Sequence, residues 1–253
     1  MPTMNFRLAR PSVLIDINHI NELGFLEIED GYLKIGALIR HSRFEAPVVE
    51  DPLGKLLSIA SGSVGHLPIR VRGTFAGSIA HADPAAEWCL IARTVDAYMI
   101  ASSERGRREI PAESFFEMVF TTALEPDELL TEVWLPLLGP SSHVGFAEFS
   151  RRAGDFALVS SAVITWVDNG KILRSSIGVG GLGSRPERAT GAEAALLGRR
   201  PSEEVFAEAA DIAAGEFEPL GDIHGSAKYR RHLVSVLVKR ALKQTLETSR
   251  GSS

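Results

Sequence analysis

A chain of 253 residues is long enough for one large domain or two ordinary ones, and 45% hydrophobic with 23% charged residues is a globular mix that builds a core without disulfides or structural metals. The formal charge of −5 argues against a general nucleic-acid binder, and the single cysteine, Cys89, excludes an intrachain disulfide and an all-cysteine zinc or iron–sulfur site within this chain. No apolar run approaches the roughly 18 residues of a membrane span, and the opening stretch from Met1 to Arg7 lacks an apolar signal core, so the compartment expected is the cytoplasm.

In chain order, the β-branched run Val13 to Ile17 predicts a strand. Phe25 to Ile28 and Tyr32 to Ile35 flank Asp30-Gly31, which predicts a hairpin on a tight turn with positive φ. Asp51 caps and Pro52 opens a helix to about Ala60. Residues 61 to 84 are rich in Gly, Ser and Pro and read as an extended, loop-dominated segment. Pro84 to Ala92 reads as a helix with Asp83 as its N-cap. Val95 to Ile100, Arg107 to Ile110 and Leu129 to Leu135 read as strands, the last ended by Pro136. Turn residues cluster at Leu138 to Ser142, the best linker candidate. Beyond it, Ser161 to Val167 and Ile172 to Val179 predict a hairpin around Asp168-Asn169-Gly170. The glycines from 178 to 183 read as a turn into helices at about Glu187 to Leu197, Ser202 to Gly215 and Lys228 to Glu247. Val234, Leu237, Val238 and Ala241 give the last helix one buried stripe. The order lacks regular β-α-β-α alternation, so the fold class expected is α+β in two domains.

Chemistry concentrates in Arg70 to Glu87. Small residues in its first half let backbone amides approach a phosphate or a flat ring, with Thr74 and Ser78 adding hydroxyls and Arg70 and Arg72 adding charge. The helix start in its second half favours negative groups, while Asp83 and Glu87 are suited to accept hydrogen bonds from ribose hydroxyls. A loop of this composition is also found as an ordinary tight turn. His81 beside Asp83 reads as local hydrogen bonding rather than a metal pair, and the seven histidines show no H-E-x-x-H spacing. There is no Gly-x-Ser-x-Gly elbow. Cys89 reads as a buried hydrophobe, and Arg151-Arg152, Arg199-Arg200 and Arg230-Arg231 as solvated pairs, with contact to a partner or a nucleotide the alternative for Arg151-Arg152.

The string Arg70-Val71-Arg72-Gly73-Thr74-Phe75-Ala76-Gly77-Ser78, followed by Ala80-His81-Ala82-Asp83-Pro84-Ala85-Ala86-Glu87, resembles the second flavin loop of the FAD-binding subunits of molybdenum hydroxylases, the xanthine dehydrogenase and aerobic carbon monoxide dehydrogenase families. There the pattern is Arg-Asn-x-Gly-Thr-Ile-Gly-Gly-Asn, then Ala-x-Ala-Asp-Pro-Ala-Ala-Asp. The likeness continues at Asn5 to Ile17, Asp127 to Pro136, Phe149 to Val159 and Asp222 to Leu233, and so covers nearly the whole chain in order. It implies a molybdopterin dehydrogenase (PCMH-like) FAD domain over 1–140 and a smaller sheet-plus-helices domain, like that of the CO dehydrogenase flavoprotein C-terminus, over 143–248. It implies FAD as cofactor and an oxidoreductase role: electrons pass from the 2Fe-2S clusters of a small subunit, fed by a molybdenum-cofactor large subunit, through the flavin to an external acceptor.

Carried over by position, the resemblance places Thr74, Phe75, Ala76, Gly77 and Ser78 in the second flavin loop and Glu87 at the acidic position after Asp-Pro-Ala-Ala. Leu130 matches a residue packed near the ring. Phe156 matches a residue that covers it, with Asp155 beside it. No side chain is implied as acid or base. Phe75-Ala76-Gly77 replaces Ile-Gly-Gly, so a positive φ at Ala76 would be strained. Val71 and Ser78 replace Asn, and Glu87 replaces Asp. The family's first glycine-rich loop, Ala-Gly-Gly-x-Ser, lies upstream of the part matching Asn5, so the resemblance implies an FAD domain without its first subdomain. The alternative reading is a flavin-free scaffold or inactive remnant.

Overall fold

Two antiparallel sheets carry the fold in a computed structural model that describes residues 2–7 and 10–250. In chain order the elements are α1 (Pro2–Asn5), β1 (Leu26–Glu29), β2 (Tyr32–Gly36), α2 (Pro52–Ser61), α3 (Leu67–Arg70), α4 (Phe75–His81) and α5 (Glu87–Thr94). They continue with β3 (Tyr98–Ser103), β4 (Gly106–Pro111), α6 (Ala112–Phe115), β5 (Phe116–Met118), β6 (Thr121–Thr122) and β7 (Leu129–Pro136). The second half comprises β8 (Ser142–Phe149), β9 (Val159–Asp168), β10 (Lys171–Gly180), β11 (Glu187–Arg188), α7 (Thr190–Leu196), α8 (Glu203–Glu216) and α9 (Ala227–Arg250).

The first sheet has the order β1-β2-β7-β3-β4. Its opening hairpin turns on Asp30 (φ 51°) and Gly31 (φ 81°), as the Asp-Gly signal requires. The second sheet has the order β11-β10-β9-β8. One of its faces packs on α7, α8 and α9 through Val163, Ile177, Phe206, Val234 and Val238. The other face, with Val144, Phe146, Ala162 and Ile164, joins the core of the first half beside α2 and α5. The connection at Leu138 and Gly139 is pinned, because the Asp51 carboxylate accepts both of their amides at 3.0 and 2.8 Å while also capping α2 at Leu53.

Several expectations need correction. Val13 to Ile17 is not a strand: it has no pairing partner among the described residues, and Val13, Leu14 and Ile15 stand exposed. A β-branched run forms a strand only beside another strand. Residues 61 to 84 are not loop-dominated, since α3 and α4 lie there. Pro68 fits the first turn of α3, and Thr74 caps α4, whose Phe75, Ala76 and Ile79 are buried. The helix expected from Pro84 starts at Glu87, because Asp83 accepts the amide of Ala85 in a local turn and Ala86 is extended. The strand expected from Val95 starts at Tyr98, after a turn with Asp96 at φ 57°. Glu187-Arg188 forms a short strand on Val179 and Gly178 before α7 begins at Thr190. Gly178 and Gly180 lie inside β10, where close approach of Thr94 and Ser160 leaves no room for a Cβ. β8 carried no clear strand signal, as Gly145 and Ala147 interrupt its pattern.

Candidate cofactor site

The site begins with a short backbone pairing. Arg40 bridges to Thr74, His41 N–H donates to the Gly73 carbonyl at 3.1 Å, and Phe75 N–H donates to the Ile39 carbonyl at 2.9 Å. This sets the start of α4, where the Thr74 hydroxyl accepts the Gly77 amide at 3.0 Å. Phe75 then points into the core, 5.2 Å from the Phe44 ring and 4.9 Å from Trp88. Trp88 Nε1 donates to His41 Nδ1 at 2.9 Å. Burial, with Arg40 nearby, pulls the His41 pKa down to about 4, so the ring is neutral and carries its proton on Nε2.

α4, α5 and the turn before α3 form one wall of a cleft. The β8–β9 loop forms the other: its ends meet where Leu158 N–H donates to the Phe149 carbonyl, and it turns through Gly154 (φ 82°). A Cβ at Gly154 would lie 2.5 Å from the His66 ring, so this turn needs glycine twice over. Between the walls is a hollow of about 130 Å³, with apolar Val64, Ile69 and Phe156 against polar His41, Ser78 and Glu87. On the other side of the Gly154–Phe156 turn, a hollow of about 570 Å³ reaches Asp83, Arg151, Asp222 and Arg230. The first has room for one edge of a flat ring system rather than a whole dinucleotide, and the second extends the space to a size usual for ligand pockets.

Of the residues singled out from sequence, Ser78, Glu87, Asp155 and Phe156 line the smaller hollow. Phe75 and Ala76 are core side chains on α4 and do not line the hollow. Ala76 is helical and absent from the positive-φ positions, which removes the strain expected from its methyl group. Leu130 is buried in β7 opposite Ala101, within the first core. Cys89 is fully buried, and burial pushes its thiol pKa up. His81 stacks on Phe120 at 4.8 Å. Among the described residues no group of three or more His, Cys, Asp or Glu side chains gathers as a metal site.

Two features were not read from sequence. His41 carried no motif, since its role comes from a contact with Trp88 across the fold. Arg230, expected as a solvated charge, is buried and clamps the loop's base: its guanidinium donates to the Leu158 and Gly181 carbonyls at 2.7 and 2.9 Å and to Asp222 at 2.7 Å. That salt bridge holds the Asp222 pKa down at about 2.

Residues 1–138 match the model of the FAD binding domain in molybdopterin dehydrogenase, and residues 145–245 match that of the CO dehydrogenase flavoprotein C-terminal domain. The chain belongs to this flavoprotein family of the molybdopterin dehydrogenases. It is 38% identical over 251 residues to subunit alpha of the 6-hydroxypseudooxynicotine dehydrogenase complex of Paenarthrobacter nicotinovorans, covering 99% of this chain and 85% of that one. It is 36% identical to the nicotine 6-hydroxylase medium subunit of the same organism, over 96% of this chain and 85% of that one. Quinoline 2-oxidoreductase from Pseudomonas putida 86 has the same fold, with a TM-score of 0.92 and 33% identity over 98% of this chain and 86% of that one. Carbon monoxide dehydrogenase from Hydrogenophaga pseudoflava matches equally, with a TM-score of 0.92 and 33% identity over 97% of this chain and 86% of that one. Family membership makes the chain an oxidoreductase component and FAD its cofactor. Among the described residues no helix is long and apolar enough to cross a membrane.

Proposed function

We propose that this chain is the FAD-binding medium subunit of a molybdenum hydroxylase complex, working beside a molybdenum-cofactor large subunit and a 2Fe-2S small subunit. FAD, when bound, supplies the relay of electrons from partner clusters to an external acceptor. The observation that carries the reading is the cleft between α4–α5 and the β8–β9 loop, where an apolar surface meets a few polar groups.

In this reading the chain binds and shields. Val64, Ile69 and Phe156 sandwich a flat ring, with Phe156 as an exposed cover. The α4 segment from Thr74 to Ser78 offers backbone and hydroxyl groups to the polar part of the cofactor, and Phe75 and Ala76 anchor that segment in the core. Glu87 accepts from ligand hydroxyls, Asp155 borders the opening, and Leu130, on β7, packs on the ring side of the first core. The domain division proposed is 1–140 and 143–248. A cytoplasmic setting suits a chain whose one thiol is free and buried. The test is titration of purified chain with FAD, followed by flavin fluorescence and absorbance. Stoichiometric binding supports the reading, and a folded chain that leaves FAD free overturns it.

A further inference from the structure

Behind the cleft, three strands of the second sheet bring one row of side-chain positions under the start of α5. Glu148 on β8 pairs with Ser160 on β9, which pairs with Gly180 on β10. The row points at α5: a Cβ built at Gly180 would lie 2.9 Å from Ser160 Oγ, 3.3 Å from the Pro84 carbonyl and 3.7 Å from Leu90 Cβ. Gly181 N–H donates to that same Pro84 carbonyl at 3.0 Å, which fixes the sheet to the turn carrying Glu87. Glu87, the first residue of α5, is only 4% exposed. Glu148 Oε2 and Ser160 Oγ are buried without a hydrogen-bond partner in the structure, and Ser160 is fully buried.

Two carboxyls, Glu87 buried and Glu148 half-buried, thus stand with an unpartnered hydroxyl at the back of the cleft. Leaving both carboxyls ionised there is costly, as one backbone hydrogen bond to Glu87 offsets only part of the burial and like charge. We propose that Glu148 is a positioning residue of the cofactor site: it keeps a proton behind Glu87, so the pair presents one negative charge to the ligand rather than two. This rests on the FAD reading of the cleft.

The titration order follows from the surroundings. Burial pushes the Glu87 pKa up to about 7, with Asp83 adding a smaller rise. Burial pushes that of Glu148 up to about 8, with the charge of Glu87 adding to it. Glu87 stands at the first turn of α5 and accepts a backbone amide, which favours its charged form, whereas Glu148 Oε2 has no partner, so Glu148 holds the remaining proton. Among the described residues the other titratable groups around the cleft are Asp83 before α5, Asp155 on the loop, His66 beside Gly154 and the neutral His41.

The test compares the full chain with Glu148→Gln, which keeps the shape of a protonated carboxyl. In wild type, infrared spectroscopy across about pH 6 to 9 should show a carboxylic C=O band whose last component disappears near pH 8, and Glu148→Gln should lack that component. FAD affinity in wild type should fall by about tenfold as the second charge appears, whereas in Glu148→Gln it should stay flat once Glu87 has ionised. A wild-type chain with no protonated carboxyl above about pH 7, or a variant with the wild-type pH profile, overturns the proposal. If FAD binds to neither protein at any pH, the FAD reading fails and the positioning role with it, while the infrared band still decides where the proton sits.

Discussion

The α4–α5 wall and the β8–β9 wall of the cleft are held in opposite ways. The first is anchored by core side chains: Phe75, Trp88, Phe44 and Cys89 are fully buried, and even its cleft-lining groups, His41 and Glu87, are almost closed to solvent. The second is a hairpin loop with Phe156 58% exposed, held at its base by Arg230 and by the Leu158–Phe149 hydrogen bond. A wall whose position is fixed by packing suits orientation of a ligand, because its geometry cannot drift without opening the core. A wall clamped at its root and open at its tip suits covering the ligand and admitting an acceptor.

Breaking the packed wall should cost most. Trp88→Ala removes an aromatic side chain and leaves His41 Nδ1 without its donor, so denaturant unfolding should show a loss of about 3–5 kcal/mol. Gly73→Ala sets a methyl 2.5 Å from His41 Nε2, and the same measurement should show about 1–3 kcal/mol of destabilisation together with weaker FAD binding.

The carboxyl pair gives the packed wall a pH signature. Folded-state pKa values of about 7 and about 8 lie above the ordinary carboxyl value, so the native state binds more protons than the unfolded chain as pH rises toward them. Stability therefore falls with rising pH, by at most about 1.4 kcal/mol per pH unit for each group, until both have ionised. His41 works in the opposite direction, since its lowered pKa makes stability rise between about 4 and its ordinary value of 6.5. The clean window is above that value, and urea unfolding from there to about pH 8 should show the decline. The smallest effect on stability belongs to the open wall: Phe156→Ala should change unfolding by less than about 0.5 kcal/mol while loosening FAD measurably in a fluorescence titration.

What sequence reveals follows the range of the forces involved. The Asp30-Gly31 hairpin, the Asp168-Asn169-Gly170 hairpin, the Asp51 cap and the stripe of α9 are local signals, and each is present in the fold. Ser78, Glu87, Asp155 and Phe156 came from an ordered likeness to a family, and they sit around one cleft. Helices α3 and α4 were hidden because Gly and Ser composition outweighed one capping threonine and a buried Phe-Ala-x-x-Ile face. β8 was hidden because its place depends on α9 and β9 on either side rather than on its own alternation. Arg230 and His41 bond to partners far away in sequence, Glu148 is covered by elements distant from it in the chain, and nothing local to the three signals burial.

The most direct measurement is an FAD titration of the full chain and of Ser78→Leu, with circular dichroism to show that both are folded. Ser78 is half-buried and borders the cleft, so a leucine there fills the space proposed for the ring without entering the core. The account predicts stoichiometric FAD binding by the wild-type chain and its loss in the folded variant. Equal binding by both would contradict the placement of the flavin in this cleft, and binding by neither would contradict the flavin role itself.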